Sequence, residues 1–321
     1  MNRKLIIIVA AMSFMIPGIG LAQKYPDRTV KIIVPYSAGG TADFSTRQIA
    51  QKLTEQMKQS FYVENKVGAS GTIATNFVAK SAPDGYTLLA NDTTYAILPS
   101  LFKTLPWDHP GDLEPIAIIT QTPVVLVVPE GSPFKSLSSL VAYAKVNPGK
   151  LNYGSGGPGS STHLSAELFK YAAQIDVAHV PYKGAGEAML AVLSGQVDFI
   201  ITAAPTAIPQ IEGGKIRALA TTGTKRLITI PTVPTFKEAG LANYAVSNWF
   251  GLAAPKGTPP AIINTLAAQV KKGLADPELR ERLAKLGAEP GSVSPAEFKK
   301  FIQKESELWA VAVKQAGLTA E

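Results

Sequence analysis

Three times along this chain a short apolar run passes into a loop of glycine and hydroxyl residues and then into an amphipathic stretch. The loops are PYSAGGTAD (35–43), NYGSGGPGSSTHL (152–164) and HVPYKGAGEA (179–188). Repeated strand-to-helix passages of this kind restrict the chain to an α/β layer architecture, because short apolar strands need helices to cover both faces of their sheet. The remaining strand candidates, at 29–34, 86–90, 116–119, 124–128, 177–180, 198–202 and 216–220, extend the alternation and favour mostly parallel sheets.

The helices between them carry their own signals. Ile49, Leu53 and Met57 recur at four-residue spacing and predict one buried stripe on a helix over 41–58. Further helices are expected from about 161, 186 and 258, the last opened by Pro259 and Pro260. Ser294 with Glu297 forms a capping-box pattern for a final helix reaching about 315, with Phe298, Phe301, Ile302 and Leu308 as its buried face.

At the start, Arg3 and Lys4 precede an apolar run over 5–15, a Pro17–Gly18 break and Gly20-Leu21-Ala22. This tripartite pattern predicts a secretory signal peptide over 1–22, cleaved after Ala22, and hence a periplasmic protein. Its apolar run is about half of the ~20 residues that a spanning helix needs. The chain has no cysteine, which excludes a disulfide scaffold, a thiol nucleophile and a cysteine-ligated metal. With 31 Lys and Arg against 24 Asp and Glu the chain is +7, and loss of Arg3 and Lys4 with the leader leaves about +5. The basic residues are scattered, without the stripe or interleaved aromatics of a nucleic-acid surface, so no nucleic-acid partner is expected.

The three loops are the places where chemistry can reside. In 35–43, Gly39 and Gly40 remove side chains just before a helix whose first N–H groups and positive dipole end suit an anion; a plain βα turn capped by Thr41 is the alternative. In 152–164, Gly154, Gly156 and Gly159 spell GxGxxG, with Asp176 near the place of a ribose-binding acid. Pro158 inside the loop and the export signal argue against a dinucleotide site, and the hydroxyls of Ser160, Ser161 and Thr162 suit a carboxylate better. Tyr182 and Lys183 in the third loop are within reach of a ligand or else lie on the surface. No GxSxG elbow occurs, and His109, His163 and His179 lack metal-ligand spacing, so neither a catalytic residue nor a cofactor is expected.

Taken together, several long stretches resemble the substrate-binding proteins of tripartite tricarboxylate transporters, the Bug family. They are YPDRTVKIIVPYSAGGTAD, ENKVGASGTIATNFVAKSAPDGYTLLA, NYGSGGPGSSTHLSAELF, HVPYKGAGEAMLAVLSGQVDF, PQIEGGKIRALATTGTKR and LAAPKGTP, in that order over nearly the whole chain after residue 22. The resemblance implies a monomeric two-lobed periplasmic binding protein of the type II flytrap kind, with a mixed, mostly parallel sheet in each lobe. Lobe 1 is expected over 23–121 plus 249–321 and lobe 2 over 122–248. It further implies capture of a small carboxylate between the lobes and delivery to membrane permease subunits.

By position in those motifs, the ligand-binding residues implied are Tyr36, Ser37, Ala38, Gly39, Gly40, Thr41 and Asp43 in the first loop, Asp92, Thr93 and Thr94 after the strand YTLLA, and Gly159, Ser160, Ser161, Thr162 and His163 in the second loop, with Lys183 and Thr202. One departure bears on specificity. Where the family often shows an aromatic, then Asp and Asn, after QVD, this chain has Ile201, Thr202 and Ala203. A neutral wall there favours a ligand without an amine: a dicarboxylate or a more apolar, aromatic acid. A sensor handing its ligand to a signalling receptor, and a secreted α/β enzyme, are the competing readings.

Overall fold

A computed structural model describes residues 25–318, apart from positions 292 and 316, so the signal peptide read over 1–22 lies outside the described residues. Ten strands and ten α-helices, with one short 3-10 helix at Ala69–Gly71, follow one another along these residues. The first stretch holds β1 (Val30–Val34), α1 (Thr41–Met57), β2 (Phe61–Asn65), α2 (Thr72–Ala79), β3 (Thr87–Asp92), α3 (Thr93–Leu101) and β4 (Leu113–Pro129). The middle holds α4 (Leu137–Val146), β5 (Asn152–Ser155), α5 (Ser161–Ala173), β6 (Ala178–Pro181), α6 (Ala185–Leu193), β7 (Ile200–Ala203), α7 (Ala204–Glu212) and β8 (Ile216–Thr221). The chain then returns through β9 (Ser247–Pro255), α8 (Pro260–Leu274), α9 (Pro277–Lys285), β10 (Glu289–Pro290) and α10 (Pro295–Gln315).

Two lobes share one strand. The first half of β4 joins the order β10-β4-β9-β3-β1-β2, whereas its second half, from Val124, pairs with β7 and β8. The two apolar runs expected as separate strands, at 116–119 and 124–128, are thus one strand of 17 residues. Between the lobes, Gln121, Thr122 and Pro123 lie opposite Trp249, Asn248 and Ser247 of β9. The connection is therefore a paired ribbon rather than two loose loops. The sheets are mixed, and the contacts of β4 with β7, β8, β9 and β10 are antiparallel, as is β3 with β9. Parallel ladders join β1 with β2 and β3, and β5 with β6, with single parallel bridges at Tyr153–Phe199 and Thr221–Thr235, a smaller share than the alternation of elements suggests.

Burial follows the periodicities. Ile49 and Leu53 of α1 and Leu266 and Val270 of α8 cover one face of the lobe 1 sheet against Ile32, Leu88 and Leu252. On the other face, α3 and α10 close over Ile33, Leu89 and Ala253. The capping box that starts α10 is formed: Glu297 N–H donates to Ser294 Oγ, and Ser294 N–H donates to Glu297 Oε2 at 2.8 Å. Phe298 and Ile302 are buried and Phe301 is partly so, but Leu308 is 54% exposed. The buried face continues instead through Trp309 and Val313, because four-residue steps drift around the helix and the stripe moves on by seven from Ile302.

Candidate functional site

Five helices begin around one small, half-enclosed cavity between the lobes. Its wall takes Gly40, Thr41 and Ala42 from the start of α1, Asp92 from the start of α3, and Ser160, Ser161 and Thr162 from that of α5. Ala185 comes from α6, and Ala203 and Thr206 from α7. Tyr36, Gly156, Thr202, Asn248 and Phe250 complete it. Each strand delivers its chain to the same rim and each helix leaves from it, so unpaired first-turn N–H groups and positive dipole ends converge there. The starts of α1, α6 and α7 have no side-chain cap, which leaves backbone donors available. Among the described residues, no Lys, Arg or His lines the cavity.

The lobes touch through a few specific contacts. Thr41 N–H donates to Thr206 Oγ1 at 3.0 Å, and the two hydroxyls lie 2.8 Å apart. Ser37 N–H donates to the Lys183 carbonyl at 3.2 Å, Ser161 N–H donates to Thr94 Oγ1 at 3.1 Å, and Ser70 Oγ donates to the Pro158 carbonyl. Two glycines permit this approach. A Cβ on Gly184 would lie 2.5 Å from Ser37 Oγ, and one on Gly186 would lie 2.3 Å from the Ala38 carbonyl oxygen. The described state is shut.

Of the residues implied by the sequence, Tyr36, Gly40, Thr41, Asp92, Ser160, Ser161, Thr162 and Thr202 line the cavity. Thr94 stands behind the wall, donating to Asp92 Oδ2 and accepting from Ser161. Ser37 sits at the seam, its hydroxyl buried without a partner. The others lie outside the lining, each for a physical reason. Ala38 abuts Gly186, and Gly39 is a turn residue at φ +86. Asp43 is turned away into a bidentate pair with Arg47 and accepts from Asn65 at 2.9 Å. Burial raises its pKa, but the bonds from Arg47 and Asn65 outweigh that and hold it below the usual range. Thr93 is fully buried and pins β9 by accepting from Trp249 N–H at 2.9 Å. Gly159, at φ +80, donates to His163 Nδ1 at 3.0 Å, and the His163 ring stacks on His179 at 4.2 Å. Lys183 is exposed, and its carbonyl accepts across the seam from Ser37 N–H.

The GxGxxG pattern serves packing as well. Gly154 fits beneath Ala188 and Tyr182, and Asp176 is exposed at the start of β6, the end remote from the loop, where it cannot act as a ribose ligand. Sequence reasoning missed Thr206, Asn248 and Phe250. The available signal was the alternation in SNWFGLAAP, which puts Asn248, Phe250, Leu252 and Ala254 on one face of a strand. Thr202 Oγ1 and Asn248 Oδ1 are buried without partners on the protein, so the wall offers two unused polar groups besides its backbone donors.

The neutral wall expected from Ile201 to Ala203 holds on that side, with Thr202 in the lining, but lobe 1 contributes a carboxyl. Asp92 is 5% exposed; its Oδ1 accepts from Tyr36 OH at 3.0 Å and from Thr94 N–H at 3.1 Å. Burial drives its pKa up to about 7 against the pull of these donors, and Tyr36, buried beside it, is pushed well above the ordinary phenol value. Among the described residues no group of three or more His, Cys, Asp or Glu could hold a metal, and no helix is long and apolar enough to cross a membrane.

Two α/β lobes joined by a strand pair and closed over a cavity ringed by helix starts define a two-lobed solute-binding protein. Residues 45–318 match the tripartite tricarboxylate transporter family receptor, and the chain belongs to that family. BugT of Bordetella pertussis is 34% identical over 322 residues, covering 99% of both chains. Among solved structures, the R. palustris protein Rpa4515 with adipate superposes with a TM-score of 0.89 at 35% identity, over 92% of this chain and 100% of that one. MatC from Rhodopseudomonas palustris, with bound malate, does so with a TM-score of 0.86 at 34% identity, over 90% and 100%.

Proposed function

We propose that this protein captures a small carboxylate without an amine, a dicarboxylate or a more apolar or aromatic acid, between its lobes in the periplasm. It then delivers the acid to the membrane permease subunits of a tripartite tricarboxylate-type importer. It acts as a binding protein rather than an enzyme. The observation that carries this reading is the ring of five helix starts, drawn from both lobes, around a wall free of cationic side chains. Backbone donors and hydroxyls bind an anion by oriented partial charges, and they leave little affinity for a bulky polyanion that requires full charge neutralisation. The adipate and malate in the two similar structures support the same class.

Lobe 1 is taken as 23–121 with 249–321, and lobe 2 as 122–248, since the partners of β4 change between Thr120–Pro123 and Val124. Helix starts from both lobes contact one ligand together only when the cleft is shut. The ligand therefore favours closure by its differential affinity for that state, and a permease reads the closed outline. The test is calorimetric titration with malate, adipate, benzoate and several amino acids, alongside mass spectrometry of small molecules released from the purified protein. Binding of at least one amine-free acid is expected. Tight binding restricted to amino acids refutes the proposal.

A further inference from the structure

We propose that Asp92 makes ligand capture proton-coupled: its carboxyl takes up one proton from solvent as a dicarboxylate binds and stands in the wall as a neutral hydrogen-bond donor to it. This rests on the carboxylate reading above and assigns that site a specificity determinant on lobe 1.

The geometry carries it. Asp92 ends β3 and caps α3, so its side chain is fixed at the cavity wall by its own backbone, accepting from Thr94 N–H. Oδ1 accepts from Tyr36 OH at 3.0 Å and from Thr94 N–H at 3.1 Å, Oδ2 accepts from the Thr94 hydroxyl at a longer 3.3 Å, and the Tyr95 backbone N–H also donates to the carboxyl. The longest of the side-chain contacts is the one at Oδ2, so Oδ2 is the oxygen assigned the proton. Among the described residues, Tyr36 and Asp92 are the only titratable ones in the lining. The charged groups nearby are already committed. Asp43 on α1 is paired with Arg47, His163 on α5 accepts from Gly159 and stacks on His179, and Lys183 is exposed. From β9 the residue opposite Asp92 is Phe250, which is apolar.

A dianion placed here beside an ionised Asp92 meets a like charge with no cation to offset it. Two carboxyl groups sharing one dry site resolve that conflict by keeping one of them protonated. In the shut, ligand-free state burial already holds Asp92 at about 7, so the further shift that a bound dianion must supply is modest. An acid bearing an ammonium group would reverse the preference, stabilising the ionised carboxyl and removing the proton uptake.

The test is calorimetry of malate and adipate with the purified protein at about pH 6 and about pH 8.5, each in two buffers of different ionisation enthalpy. Above pH 7 the expected uptake approaches one proton per ligand, and apparent affinity falls about tenfold per pH unit. Near pH 6 uptake approaches zero. Asp92→Asn keeps an N-capping side chain and puts an amide donor where the acid stood. It is expected to bind with no proton uptake and with affinity flat across this range. Diacid binding by the wild type with no uptake at either pH overturns the role of Asp92 and leaves the carboxylate reading standing. So does tighter binding of aspartate or glutamate than of malate. Failure of every carboxylic acid to bind at any pH overturns both.

Discussion

Replacing Gly186 with alanine should obstruct closure while leaving each lobe sound. Gly186 is the second residue of α6 and is not in the left-handed region, so alanine suits its backbone and favours the helix by up to about 1 kcal/mol. The added Cβ would stand 2.3 Å from the Ala38 carbonyl oxygen and 3.1 Å from Gly40 N, both across the seam. Restoring an ordinary contact needs about 1 Å of separation. That movement carries Thr41 N–H to Thr206 Oγ1, now 3.0 Å, and Ser37 N–H to the Lys183 carbonyl, now 3.2 Å, beyond hydrogen-bond range. With the Thr41–Thr206 hydroxyl contact also lost, the shut state loses about 2–3 kcal/mol at roughly 1 kcal/mol per bond. Since binding draws on closure, affinity for an acid that the wild type binds should fall about 30- to 150-fold. Gly131→Ala is the control: it lies outside both the cavity lining and the seam, its backbone is not in the left-handed region and its Cβ would meet nothing within 4 Å, so a change below about threefold is expected. Titration calorimetry reads the affinities and thermal melting checks the fold. Equal affinities for the two variants, with unchanged melting, would refute the reasoning.

Other consequences lie outside the seam. Burial and the adjacent His163 push His179 down from its ordinary value of 6.5 to about 4. The unfolded chain then binds the extra proton first as pH falls, so this residue's stabilising contribution is complete above about pH 6.5 and is lost as pH falls through about 4. Asp92, raised to about 7, acts in the opposite sense: its contribution is complete below about pH 4 and is lost as pH rises toward 7. Urea unfolding of wild type and His179→Asn between pH 4.5 and 7.5 isolates the histidine, whose variant should show the smaller acid loss; equal loss contradicts the assignment. Phe298 is fully buried, with its ring edge-on to Trp249 at 5.3 Å, so Phe298→Ala should cost about 3–5 kcal/mol in the same assay. A loss below about 1.5 kcal/mol would mean that α10 is not seated on the sheet as described.

Features written in short-range periodicity were legible in the sequence: the stripe of α1, the capping box before α10, and the three loops that end in helices. What escaped it depends on partners far along the chain. β4 reads as two runs because Pro115 and Pro123 lack the N–H that a central strand donates, and Gln121 is polar. The strand continues because its register shifts beside Pro115 and because β9 pairs with it through the crossing. The site divides in the same way. Hydroxyls and glycines of the loops are visible locally, whereas Thr206, Asn248 and Phe250 reach the cavity only through lobe closure and the ribbon.

Asp43 shows how a motif misleads. It belongs to the first loop's signature, yet Arg47 four residues later on the same helix face captures it, a pairing that helical spacing alone foretells. A binding wall made of backbone donors has no side-chain signature, so its selectivity rests on the few side chains that depart from it. Here the departure is Asp92, the lone acid in the lining among the described residues, standing where a strand ends and not within any of the three glycine loops.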